Sequence, residues 1–86
     1  MWAVFLFPDV EKFLKKQDKF IKELLLKGFE KLKTENPFVH LQHYEDKKYY
    51  KFRIGNYRAL IDADFDKKIL DVRALDHRSV IYKRKH

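Results

Sequence analysis

The hydrophobic spacing of this chain is helical from about residue 18 to residue 34 and changes to a period of two after residue 47. A segment cannot serve both periods, so residues 18–34 must be helical and the runs beyond residue 47 must be strands. In the helical part, Ile21, Leu24, Leu25, Gly28 and Leu32 recur on one face, with Phe20, Leu26 and Phe29 widening it. The pattern predicts a helix from about Asp18 to Thr34, capped by Asp18 and ended by Asn36–Pro37. Gly28 costs that helix about 1 kcal/mol of propensity. Either a close-packed neighbour at that point or tolerated sequence noise accounts for it.

Ahead of that helix, Trp2–Phe7 is a continuous apolar run, read as a strand covered on at least part of both faces. Pro8, followed by Asp9 and Glu11, starts a short first helix with Val10, Phe13 and Leu14 as its stripe. Phe38–Asp46 has no clean period and reads as a loop or short 3₁₀ passage. Beyond it, Lys48–Ile54 and Tyr57–Asp64 flank Gly55–Asn56, the signature of a tight hairpin. Ile69–Leu75 adds a strand after the polar turn at Asp66 and Lys67, and Ser79–Lys83 adds a last one. The expected fold is α+β, in the order β-α-α-β-β-β-β. Two N-terminal helices pack on one face of a mainly antiparallel sheet and leave the other face free.

At 86 residues the chain is one domain spanning 1–86. It has no cysteine, which excludes disulfides, thiolate nucleophiles and sulfur-ligated metals. Two glycines leave no room for a glycine-rich phosphate loop. No apolar run approaches the ~20 residues that span a bilayer, and the start lacks the pattern of a signal peptide. A cytoplasmic protein without membrane contact is expected.

The formal charge of +7 is unevenly placed. Residues 1–46 carry eight basic and eight acidic side chains, whereas residues 47–86 carry twelve and five. Such asymmetry suits a polyanion or an acidic protein partner, although basic strands also occur as solvated faces. If Gly55–Asn56 is a two-residue turn, Ile54 pairs with Tyr57, Arg53 with Arg58, and Lys51 with Leu60. Alternation then gathers Lys51, Arg53 and Arg58 on one face. Two arginines directly opposite each other are unfavourable by a few tenths to ~1 kcal/mol. The pair makes sense where a phosphate or carboxylate sits between them. His77 and Arg78 follow near this patch. His40 and His43 lie three apart near Glu45 but have no convincing third ligand, so no metal and no cofactor are expected.

The stretch YYKFRIGNYRALIDAD, followed by VRALDHRSVIY, resembles the RelE/ParE superfamily of toxin–antitoxin toxins, and the element layout matches it over essentially the whole chain. Within that superfamily the chain looks like the RelE branch, small enzymes that cut messenger RNA in the ribosomal A site. The resemblance implies in-line attack of a 2′-hydroxyl on the adjacent phosphate, a cognate antitoxin as partner, and a site of basic residues with a late tyrosine. Carried over by motif, the K-x-K/R positions are Lys51 and Arg53. The arginine of the G-x-Y-R segment is Arg58, that of the late H-R pair is Arg78, and the late tyrosine is Tyr82. Where the family often has glycine before the H-R pair, this chain has Asp76.

Cleavage of this kind needs a proton taken from the 2′-oxygen, the extra charge on phosphorus stabilised, and the leaving 5′-oxygen compensated. Arg53, Arg58 and Arg78 suit the phosphate, and Tyr82 suits stacking on a base. An arginine stays protonated and is a poor base. That leaves Lys51, or His77 as an auxiliary, for proton removal. Two other readings remain open. One is a ParE-like inhibitor of DNA gyrase, and the other is a non-catalytic RNA-binding or regulatory protein.

Overall fold

The computed structural model describes residues 1–43 and 48–81. The chain runs β1 (Ala3–Leu6), α1 (Pro8–Lys15), α2 (Lys19–Glu30), a 3₁₀ turn (Pro37–His40), β2 (Leu41–His43), β3 (Tyr50–Ile54), β4 (Tyr57–Asp64) and β5 (Ile69–His77). The strands form one sheet in the order β1-β5-β4-β3-β2. All pairings are antiparallel except β1 with β5. This is the expected α+β fold, with α1 lying over β5 and α2 over β3 on the same face.

Local chemistry explains the helices. Pro8 stands at the first helical position of α1, Asp9 and Glu11 occupy its first turn, and Lys12 and Lys15 its last. These charges complement the helix dipole. Asp18 caps α2, its Oδ1 accepting from the Ile21 N–H at 2.9 Å. Leu25, Gly28 and Phe29 are the buried residues of α2. Gly28 is there for contact: a Cβ on it would lie 2.8 Å from Ile54 Cδ1 and 2.9 Å from Ile54 Cγ1. A side chain at 28 would therefore have to displace Ile54.

The core on the helix side includes Val10, Leu14, Leu25, Phe52, Ile61, Leu70 and Val72. Trp2 closes one end of it, edge-on to Phe38 and Phe65, which stack on each other at 5.3 Å. Edge-to-face rings of this kind add to their burial.

Several expectations need correction. Strand β1 is a sheet edge covered on one side only. Val4 and Leu6 join the core, while Phe5 is 54 % exposed. The stripe of α2 is narrower than its spacing suggests, since Leu24 is 39 % and Phe20 76 % exposed. Part of the segment read as loop is strand β2, which pairs with β3 through Leu41↔Phe52, Gln42↔Lys51 and His43↔Tyr50. The last strand, expected from Ser79, does not form across residues 78–81. The chain turns there instead, with the Val80 N–H donating to the His77 carbonyl at 2.9 Å, and residues 82 and 83 lie outside the described residues. The element string is therefore matched, with β2 supplying the strand that had been expected at the end.

Nor is the second face free. Leu60, Ala74 and Ile81 form a small buried cluster there, with Tyr49 packed against it. A β-bulge makes this possible. Leu60 pairs with Ala74 and Ile61 with Val72, so Arg73 is the extra residue. After the bulge the alternation of β5 is inverted. Ala74 turns to the second face, and Leu75 enters the helix-side core.

Candidate functional site

The hairpin turn sets the site. Gly55 takes φ of 56°, a conformation open to glycine at little cost. The register that results pairs Ile54 with Tyr57, Arg53 with Arg58 and Lys51 with Leu60, as expected. Tyr50, Phe52, Ile54 and Ala59 belong to the helix-side core. Lys51, Arg53 and Arg58 are thereby directed to the second face. All three line one concavity of about 390 Å³, together with Val39 and His40 of the 3₁₀ turn and Leu41 and Gln42 of β2.

The Arg53–Arg58 apposition is eased from two directions. The Arg58 Nη1 donates to the carbonyls of Gly55 at 2.8 Å and Tyr57 at 2.9 Å, which holds the guanidinium against the turn. On its other side Arg58 stands in register with Asp76 of β5. An acidic neighbour that the strand's own sequence does not reveal is thus supplied by the adjacent strand. Arg53 has no such restraint among its described contacts and is exposed. Farther along the same face, Lys48 and Arg73 share Asp62 at 3.7 and 3.5 Å. Arg73 also lies over the Phe7 ring at 4.5 Å. The face therefore divides into a balanced region around Asp62 and a cationic region at the hairpin end.

The remaining sequence candidates are placed differently. Arg78 is exposed and follows β5 directly, and its N–H donates to the Asn56 carbonyl at 2.8 Å. Its backbone is thus pinned beside the hairpin turn, although its side chain does not line the concavity. His77 is not on the basic face. Its ring meets Tyr57 at 5.7 Å, and Tyr57 meets Phe13 of α1 at 6.0 Å, which puts it on the helix side. The bulge at Arg73 is the physical reason, since it inverts the alternation ahead of His77. Asp76 does not orient the His77 ring. Its Oδ1 accepts from the His77 backbone N–H at 2.8 Å, whereas the ring Nδ1 lies 2.9 Å from Ser79 Oγ. Tyr82 lies outside the described residues.

His40 and His43 have different surroundings. His43 packs edge-on against Tyr50 at 5.1 Å, while His40 lines the cationic concavity. Among the described residues no cluster of three or more candidate metal ligands forms. His40 is the site residue that sequence reasoning missed. Its segment showed no period, so no direction could be assigned to it. No sequence signal marks it, because β2 is only three residues long.

This arrangement is a cationic cradle of two guanidiniums and an ammonium on a rigid hairpin, suited to an oxyanion. Three solved structures share the fold. The toxin–antitoxin complex RelBE2 from Mycobacterium tuberculosis matches with a TM-score of 0.75 at 21% identity, covering 90% of this chain and 98% of that one. The archaeal RelE–RelB complex from Pyrococcus horikoshii gives 0.72 at 21%, covering 92% and 97%. The isolated E. coli RelE toxin gives 0.68 at 18%, covering 96% and 93%. No curated protein sequence matches the chain significantly. At the level of family models, residues 4–82 match the ParE toxin of the type II toxin–antitoxin system, parDE. The chain therefore belongs to the RelE/ParE-type toxin superfamily of toxin–antitoxin systems, by way of that ParE toxin family. No helix among the described residues is long and apolar enough to cross a membrane.

Proposed function

We propose that the chain is a toxin that cleaves messenger RNA in the ribosomal A site, by attack of a 2′-hydroxyl on the adjacent phosphate. The convergence of Lys51, Arg53 and Arg58 on one concavity carries this reading. A pentavalent phosphate gains negative charge, and fixed guanidiniums stabilise it more than they stabilise the ground state. Arg58, held at the turn, is the preorganised donor, and Arg53 closes on the phosphate from the facing strand. Arg78 and Tyr82 are the further candidates, for phosphate and base contact. The nucleophile comes from the substrate itself, so the reaction calls for no cofactor. A cognate antitoxin is the natural protein partner, and an acidic amphipathic segment would neutralise the cationic region.

The ParE description of the matching family model favours a second reading, inhibition of DNA gyrase. One experiment separates the two. Purified protein is added to ribosomes programmed with a defined messenger and an open A site, beside a gyrase supercoiling assay. Cuts in the A-site codon, reduced 10²–10³-fold or more in the Lys51→Ala, Arg58→Ala double variant, support cleavage. Lost supercoiling without cuts favours gyrase. Retention of ribosome-bound RNA without either effect favours a non-catalytic binder.

A further inference from the structure

We infer that His40 takes the proton from the attacking 2′-hydroxyl, an inference that rests on the cleavage reading above. Its position follows from the backbone. The 3₁₀ turn Pro37–His40 leads directly into Leu41, which pairs with Phe52 and packs on the helix-side core. The residue just before Leu41 is then delivered beside Arg53, toward the cationic face. His40 lines the concavity that holds Lys51, Arg53 and Arg58. It also lines a second one of about 400 Å³, bounded by α2 and the end of β3. Arg53 is the other residue common to both. His40 and Arg53 thus form the ridge between the two concavities.

The charged groups that line these concavities with His40 are Lys51 and Arg53 of β3, Arg58 of β4, Lys27 of α2 and Lys31 at its C-cap. Among the described lining residues none is a carboxylate. Such a site binds a phosphate readily but is poor in proton acceptors. A guanidinium does not give up its proton. An imidazole is the side chain that ordinarily changes charge between about pH 5 and 8. Because His40 is exposed, it can meet a substrate without rearrangement of the core.

A ring nitrogen of neutral His40 takes the 2′-hydroxyl proton while the 2′-oxygen bonds to phosphorus. The bond from phosphorus to the 5′-oxygen breaks, and that oxygen takes a proton from the Lys51 ammonium. The products are a 2′,3′-cyclic phosphate and a free 5′-hydroxyl. His40 then loses its proton to water, and Lys51 regains one.

The test is single-turnover cleavage of messenger on programmed ribosomes, followed from about pH 5.5 to 8. Wild type is compared with His40→Ala and His40→Asn. The wild-type rate should rise with pH, as for a reaction that needs its general base deprotonated. Both variants should lose 10²–10⁴-fold in rate with KM little changed, and the rise should flatten. Free imidazole should restore part of the activity to His40→Ala. Both variants should melt with wild type, since the side chain is exposed. Wild-type cleavage with the same pH profile in His40→Ala would overturn the assignment while leaving the cleavage reading intact. A rise in KM alone would overturn it too, by reducing His40 to a binding contact. A wild-type protein inert at every pH would overturn the cleavage reading and the base together.

Discussion

On the helix side of the sheet, Leu25, Phe52, Ile61, Leu70 and Val72 lie in one continuous apolar core. On the other side, the buried cluster among the described residues is Leu60, Ala74 and Ile81, and three cations share the remaining hairpin end. The same strands supply both faces. Apolar burial on the helix side holds the backbone rigid, and that rigidity fixes where Lys51, Arg53 and Arg58 point on the other. Like charges can be held together because stability is obtained elsewhere. The contrast also predicts that substitutions on the helix side cost stability, and that those at the hairpin end cost activity.

The largest effect is expected from Leu25→Ala, which should cost about 2–5 kcal/mol in denaturant unfolding by leaving a cavity under α2. Leu24→Ala, one residue away, should cost less than about 1 kcal/mol, because Leu24 already meets solvent. Equal losses would mean that α2 is rotated from the orientation described. On the other face, Ile81→Ala should cost about 2 kcal/mol, at the low end for such truncations because its cluster is small. An unchanged midpoint would mean that this face is open and that Ile81 does not cover it.

Gly28→Ala tests the closest helix–sheet approach. Overpacking costs about 1–3 kcal/mol, while replacing glycine within a helix returns up to ~1 kcal/mol. The new Cβ would meet the Ile54 Cγ1 and Cγ2 at 2.9 and 3.1 Å as well as the mobile Cδ1, so the net effect should be destabilising by about 1 kcal/mol. An Ile54→Ala background, which removes Cγ1, Cγ2 and Cδ1 together, should shrink the loss, and a double-mutant cycle reads this directly. Additive costs would remove the contact as the reason for Gly28.

How far each face can be read from the amino acids follows from these contacts. The hairpin register was readable because a two-residue turn at Gly55–Asn56 and the alternation of β3 leave one pairing that buries Phe52 and Ile54. Leu24 and Leu25 could not be told apart by spacing, since both fall on a broad stripe and tertiary packing chooses between them. Strand β2 has three residues, too few to display a period. Val80 alternates plausibly with its neighbours, yet the turn at His77–Val80 overrides that pattern. His77 was misplaced because a bulge has no signature in an alternating run, and one extra residue at Arg73 moves every later side chain of β5 to the opposite face. The cations of the site were therefore visible before the structure, and the histidine that joins them was not.

The smallest effect concerns the two facing arginines, and it separates roles that the sequence makes equivalent. Removing either relieves a like-charge pair worth a few tenths of a kcal/mol up to ~1. Arg53→Ala should do little else, because Arg53 is exposed at the end of β3, so the melting temperature should rise slightly. Arg58→Ala also removes the bonds from Nη1 to the Gly55 and Tyr57 carbonyls, and with them the cation that stands in register with Asp76. Each such bond contributes about 0.5–1.5 kcal/mol, so Arg58→Ala should be destabilising by about 1 kcal/mol. Calorimetry on the two single variants reads the difference in sign. If both substitutions stabilise, Arg58 does not hold the turn, and the preorganisation claimed for it fails. If both destabilise alike, Arg53 has a structural contact that its exposure conceals, and the facing pair is not the strained element it is taken to be.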